Sequence, residues 1–418
     1  MIRVASDAPA SGPPAPAPCR LRAAPVRATG HPASFVLTAS ILVALLAASG
    51  APTPLYPLYQ DHMGLSALDV TVVFSAYSLA LLLALLTTGA LSDHLGRRPV
   101  LVGALVVEAA AMLLLASADG GGPLIAARVL QGMATGVATS AAGAALLDRE
   151  DPRRPGRSAL TNSIAPVAGM AAGVLAATLL VRFAPAPAVT VFVLLAVVFV
   201  AQAIAISFTT ETAHRRPGAL RSLRPRLSVP PTTRRALSVV GTGVVAIWAL
   251  SGFYSSLGPA LVRLVAPHAP QAAGGMIFFV LSATATLAVW MLRRTAPRAM
   301  VIGGCLSVLP AAILMLVGLH GGGLPTLYCG AALAGVAFGA VSQGALRMIL
   351  PSRDEQGGAA TVASYYVLSY LSMSLPAIAA GAATQHYGLG TTSHACAVAA
   401  ALLSVAALAV LAATRRGR

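Results

Sequence analysis

Two charged side chains, Glu108 and Arg128, stand inside long apolar runs of this sequence, and a third, Asp93, ends one. A charge in such a place is costly unless it has a partner or a task. Glu108 lies about nine residues into the run 99–118, too deep for a short side chain to reach water. A carboxyl held there can take up and release a proton, or it can serve only as a hydrogen-bond partner for a neighbouring helix. Arg128 lies about five residues, roughly 8 Å, from one end of the run 123–147. It faces the protein interior and finds a partner there, or it snorkels to the surface. Gln131 follows one turn later on the same side. The rest of the chain offers no enzyme chemistry. The eight histidines are read as lying in loops, at helix ends or near the N-terminus, so no imidazole relay is expected. Cys19, Cys305, Cys329 and Cys396 have no metal-site or disulfide spacing. No G-x-x-x-x-G-K-[ST] loop is present to hold ATP. No metal, no cofactor and no catalytic residue is expected.

The elements that position these groups follow from composition. Apolar residues make up 57% of the 418, charged residues only 10%, and mean hydropathy is +0.80. Soluble domains carry roughly a quarter charged residues; a lipid bilayer removes the need for them. Apolar runs near the ~20 residues that cross a bilayer fall at 34–55, 68–92, 99–118, 123–147, 158–181 and 187–209. After a basic break they resume at 236–258, 271–292, 298–319, 324–349, 358–382 and 391–413. Backbone polar groups in hydrocarbon must be satisfied within each segment, so these runs are predicted as helices. The fold class is an all-α membrane protein with twelve transmembrane helices in two pseudo-symmetric six-helix bundles.

All 28 basic residues are arginine, and the net charge is +16. They are scattered through short loops rather than gathered on one surface, which argues against nucleic acid as a partner. With the N-terminus in the cytosol, the arginines collect on the cytosolic side; the other face keeps only Arg182 and Arg263. The chain is therefore predicted to span the inner (plasma) membrane of a bacterium with both termini cytosolic, and the arginine-only usage fits a GC-rich genome. Residues 1–33 are expected to form a disordered cytosolic tail, 34–209 the first bundle, 210–235 a basic cytosolic linker, 236–414 the second bundle, and 415–418 a cytosolic end. A faint repeat relates the halves: Gly136-Val137-Ala138 matches Gly335-Val336-Ala337, and Pro166 matches Pro376. Duplicated halves around a central site are a transporter architecture.

The strongest motif follows the second span: Gly89-Ala90-Leu91-Ser92-Asp93-His94-Leu95-Gly96-Arg97-Arg98. It resembles the G-x-L-x-D-x-x-G-R-R loop of the major facilitator superfamily. Gly89 is expected to admit a neighbouring helix and Gly96 to form the tight turn. The resemblance implies that Asp93, with Arg97 and Arg98, latches the two halves in one state and is released in the other; the alternative is that Asp93 caps the loop or pairs with Arg97. The fourth span carries Arg128-Val129-Leu130-Gln131-Gly132, which resembles the family's R-x-x-Q-G motif and implies a part for Arg128 in proton coupling. Around Pro166 and Gly169 the fifth span is similar to the family's G-x-x-x-G-P-x-x-G-G motif, departing from it at Ala165 and Met170, and implies a helix kink. The group it resembles within the family is the twelve-helix drug:proton antiporters.

The substrate cavity is expected among Gln131, Asn162, Trp248, Tyr254, Gln343 and Tyr370, aromatics with a few polar handles that suit amphipathic ligands. The partners expected are a small-molecule substrate, a proton and the lipid bilayer, with the chain acting as a monomer. The function expected is proton-coupled efflux of small amphipathic molecules. The alternatives are an importer of a sugar, amino acid or other nutrient, or a membrane-embedded sensor or enzyme.

Overall fold

A computed structural model describes residues 32–213, 216–219, 231–350 and 358–416. The expected N-terminal tail, most of the basic linker and the last two residues therefore lie outside the described residues. Among those described, twelve long helices run in sequence. The first six are α1 (Pro32–Gly50), α2 (Ala67–Thr88), α3 (Arg97–Ala116), α4 (Gly121–Asp148), α5 (Arg157–Phe183) and α6 (Pro187–Ser207). The second six are α7 (Pro231–Ser256), α8 (Gln271–Met291), α9 (Pro297–Val317), α10 (Gly323–Ile349), α11 (358–387) and α12 (389–416). Ten helical stretches among the described residues are long and apolar enough to cross a membrane. Two of them, of 53 and 54 residues, each contain a pair of helices. The breaks fall where sequence dictates. His320 and Gly321 leave helical angles between α9 and α10, and Gly388, at φ 80°, separates α11 from α12 in a conformation that needs glycine.

The three prolines after α1 do not end it outright. Thr53–Leu55 makes a tight helical turn and Tyr56–Met63 forms a short helical extension, with Tyr56 and Tyr59 buried. A matching extension, Gly258–Val265, follows α7. These extensions lie on the face away from the chain termini.

Buried apolar side chains form two cores. One gathers residues from Phe35 to Ile206 and takes in Ala377; the other runs from Val240 to Leu411 and takes in Val174. The pairing of helices repeats between halves: α1 packs on α5 and α2 on α4, while α7 packs on α11 and α8 on α10. Small residues make these pairings close. Gly132 and Gly136 of α4 lie against the α2 backbone at Tyr77 and Leu81, and Gly335 and Gly339 of α10 against α8 at Leu281 and Ala285. Gly169 and Gly173 of α5 rest on Val43 and Ala47 of α1, and Gly252 of α7 on Met373 of α11. The repeat read from the sequence at Gly136 and Gly335 thus coincides with equivalent helix contacts.

Between the halves, α2 lies on α11 and α5 on α8. Both seams tighten toward the face away from the termini. Gly275 of α8 packs on Thr178 and Pro54, and Gly381 of α11 packs on Thr71 and the Ala67 carbonyl. At the same face Arg263 Nη1 meets Asp61 Oδ1 at 3.0 Å, and Arg263 Nη2 donates to Gln60 Oε1 at 2.8 Å. Midway, the Ser78 and Ser374 hydroxyls lie 2.8 Å apart, and Ser75 Oγ donates to the Ser374 carbonyl at 3.2 Å. Toward the terminal face, Gln343 Nε2 reaches Ser163 Oγ at 3.4 Å.

Candidate functional site

Helical spacing builds the centre of the first half. Positions 128, 131 and 135 share one face of α4, and Arg128, Gln131 and Thr135 are all fully buried. The glycines beside them let α4 approach α2, which brings Tyr77 over the guanidinium: Arg128 Cζ lies 4.3 Å from the Tyr77 ring centroid. Arg128 Nη1 donates to Gln131 Oε1 at 2.6 Å, and Nε to the Val73 carbonyl at 3.5 Å. Arg128 therefore does not snorkel. Glu108 comes from α3, is also fully buried, and both its oxygens lie 3.2 Å from Thr135 Oγ1, the donor. The result is a row, Arg128–Gln131 then Thr135–Glu108, inside a low-dielectric bundle. A buried cation and a buried carboxyl are here linked through neutral groups rather than by a direct ion pair. Gln131 also lies beside Glu108, and Tyr77 beside Thr135 and Ser49, but Arg128 Nη2 has no hydrogen-bond partner among the described residues. Orphaned buried polar atoms of this kind mark a place for water or ligand.

The second half supplies an aromatic wall. The Trp248 ring of α7 lies 5.1 Å from Phe338 of α10 and 5.4 Å from Tyr370 of α11; Tyr366 lies 6.0 Å from Tyr370, and Tyr365 5.7 Å from Tyr366. The Tyr365 hydroxyl donates to the Ser342 carbonyl at 3.3 Å, with Trp248 and the side chains of Ser342 and Ser369 around it.

The other expected cavity residues are more dispersed. Gln343 bonds across the halves to Ser163, as above. Asn162 Nδ2 donates to the Gly143 carbonyl at 3.2 Å and so ties α5 to α4. Tyr254 sits inside the core of the second half, fully buried beside Phe253. A groove of about 560 Å³ runs along Val245, Ser364, Val367, Leu371, Ser372 and Leu375, and none of the six expected residues lines it. Pro166 lies inside α5; lacking an N–H, it leaves the Asn162 carbonyl one turn back without its helical donor.

At the terminal face, Asp93 Oδ1 pairs with Arg97 Nη1 at 2.5 Å, within the loop and half exposed. Arg97 also reaches Ser92 Oγ at 2.6 Å and Asp148 Oδ2 at 3.2 Å. Gly89 touches no neighbouring helix; a Cβ there would meet the Leu85 carbonyl of its own chain. Gly96, at φ 102°, begins α3 and has no side chain to cap it. Glu211, 114 residues on from Arg97, does so: its Oε1 accepts from the Arg97 N–H at 2.8 Å and its Oε2 from the Arg98 N–H at 3.0 Å. Oε1 also accepts from the Thr212 and Ala213 N–H groups, each at 3.0 Å. Partial burial alone would raise the Glu211 pKa, but these four donors outweigh it and hold the carboxyl below the ordinary carboxylate range. A Cβ at position 96 would strike this carboxylate. Arg149 knits the same face together, reaching Thr38 Oγ1 at 3.0 Å and the Thr210 carbonyl at 3.3 Å.

Sequence reasoning missed Glu211, Tyr77, Thr135 and Asp61. Glu211 carried a signal, being the single acid in the basic segment 210–235. So did Asp61, an acid on the face where only Arg182 and Arg263 were expected.

Among solved structures, the chain is similar to the nucleoside transporter NupG, with a TM-score of 0.70 at 11% identity over 90% of this chain and 98% of that one. It is also similar to the human organic anion transporter MFSD10 (TETRAN), at 0.65 and 20% over 90% and 98%. A bacterial homolog of the human lysosomal transporter Spinster gives 0.69 and 14% over 91% and 95%. A curated relative, the multidrug resistance protein MdtL of Klebsiella pneumoniae (strain 342), is 29% identical over 150 residues, 35% of this chain and 38% of that protein. The match thus spans well under half of that relative's length. The profile of the Major Facilitator Superfamily matches residues 37–377, so the chain belongs to that superfamily, as a multi-pass membrane protein built on its transporter fold.

Proposed function

We propose that this chain is a secondary active transporter that exports small amphipathic molecules in exchange for protons, by alternating access, from a bacterial inner membrane with both its termini in the cytosol. The observation that carries the reading is the buried row Arg128–Gln131 and Thr135–Glu108 in one half, together with an aromatic wall in the other. A carboxyl with one hydroxyl donor and a nearby buried cation can bind a proton in one conformer and release it in another. The aromatic wall suits flat or amphipathic ligands. The partial relative named for multidrug resistance agrees with export. The proton gradient supplies the energy; no cofactor and no catalytic step is required, and the chain works as a monomer. The conformer joined at Asp61–Arg263 is read as inward-facing, with Asp93 released from the second half and held by Arg97.

A second reading is an importer of a polar nutrient. Arg128 Nη2, buried with no hydrogen-bond partner among the described residues, favours it, since it would bond a polar solute. One experiment separates the two. In inverted membrane vesicles energised to an acid lumen, an exported substrate enters as protons leave, so the lumen becomes more alkaline when it is added. A lumen that stays acid for every compound in a chemically broad panel contradicts proton-coupled export.

A further inference from the structure

Two imidazoles that play no part in the transport reading face each other on the surface away from the termini. His320 lies in the turn Gly318–Gly322 between α9 and α10, and His394 lies in the first turns of α12. Their Nε2 atoms are 3.4 Å apart, with ring planes at 82°. The His320 Nδ1–H donates to the Leu316 carbonyl at 2.8 Å, and the His394 Nδ1–H to the Gly390 carbonyl at 2.7 Å. A carbonyl can only accept, so each Nδ1 carries the hydrogen. In each neutral ring the Nε2 lone pair is therefore turned toward the other ring. Two acceptors so placed call for a positive centre between them.

We propose that His320 and His394 form a binding site for a divalent first-row transition ion of the Zn²⁺ type, clamping the α9–α10 turn to α12. Two nitrogens on a tetrahedral zinc, at about 2.0–2.1 Å from the metal, lie ~3.3–3.4 Å apart. The observed separation matches, so neither ring has to move. The backbone bonds at Nδ1 are the outer-shell contacts that fix tautomer and orientation in histidine–metal sites. Beside the pair is a cavity of about 420 Å³, lined by His394 and by Gly318, Gly321, Gly323 and Gly390 among others. It has room for the water or small chelating molecule that completes the shell. Imidazole ligands select zinc, copper or nickel over magnesium or calcium.

The test is Zn²⁺ titration of the purified full chain, carrying no histidine tag, by calorimetry. Parallel titrations use His320→Ala, His394→Ala and, as a control on the same face, His268→Ala. The proposal expects one ion per chain in the wild type and the control. Either pair variant should lose more than the roughly 10–100-fold in affinity that removal of an outer-shell partner costs. Bound Cu²⁺ should give an electron paramagnetic resonance spectrum split by two imidazole nitrogens, and Zn²⁺ should raise the melting temperature of the wild type but not of His394→Ala. Equal Zn²⁺ affinity in wild type and both variants, or no Zn²⁺ binding by the wild type, would overturn it.

Discussion

Asp61, on the extension of α1, and Arg263, on the extension of α7, form a salt bridge of 3.0 Å between the two halves although they are 202 residues apart. The two extensions occupy equivalent places in their bundles, so the bridge joins corresponding elements of the two halves. It holds one face together, yet both side chains remain partly in water, 39% and 51% exposed. Such a pair contributes about 0–1 kcal/mol. Strength on that scale suits a contact that breaks in each cycle of the proposed alternating access.

Removing it should therefore tilt a balance rather than disable the protein. Asp61→Asn or Arg263→Gln should raise the population parted at that face by up to about fivefold. Thiol labelling of Thr178→Cys, buried at the α5–α8 seam, reads this as a faster rate. The charge-reversed double variant Asp61→Arg/Arg263→Asp should bring the rate back. If the double variant labels as fast as the singles, the bridge is not what biases the equilibrium.

The glycine seams should matter more. At Gly381 a side chain would run into Thr71 and the Ala67 carbonyl. Overpacking costs about 1–3 kcal/mol, and here only in the joined conformer. Gly381→Leu should then favour the parted state by roughly 5- to 150-fold, exceeding the effect of Asp61→Asn in the same labelling assay. A Gly381→Leu protein that folds and labels like the wild type would remove the seam from the gating scheme.

Thr135 is the donor for Glu108. Thr135→Val removes the hydroxyl donor of that buried carboxyl and should destabilise the chain by about 1–3 kcal/mol, visible in thermal unfolding. Glu108→Gln should keep substrate exchange down a gradient but lose accumulation driven by protons. Proton-driven accumulation at the wild-type level in Glu108→Gln would assign the carboxyl a structural role only.

Glu211 gives a prediction in pH. Its folded pKa is depressed, so its contribution to stability is present above the unfolded value, about 4.3, and fades as pH falls below that. Loss of a helix cap costs about 0.5–2 kcal/mol, and the exposure of this carboxylate places Glu211→Gln toward the low end. Wild type and Glu211→Gln should differ in melting temperature at neutral pH and converge as the solution is acidified below about pH 4. A gap that stays constant across that range would argue against the cap.

The spans were legible because hydrocarbon forces each apolar run into a helix, and the 2–3 loop because its residue types are unusual among apolar neighbours. The rotation of each helix was not. When lipid accepts apolar side chains on every face, the sequence carries little sign of which face is inward. Tyr254 was therefore expected in the cavity and lies in a core. Thr135, a hydroxyl outside every motif read from the sequence, proved to hold Glu108. The partners of Arg263 and of the α3 terminus lie 202 and 114 residues away, a range at which local pattern is silent.

The claim on which the account rests is that the two halves must part at the Asp61–Arg263 face during every cycle. It is tested most directly by placing cysteines at both positions in a background lacking Cys19, Cys305, Cys329 and Cys396, and bridging them with a short reducible bifunctional thiol reagent. The account predicts that transport stops once the bridge forms and returns when it is reduced. Transport that continues undiminished through a quantitatively bridged protein would contradict it.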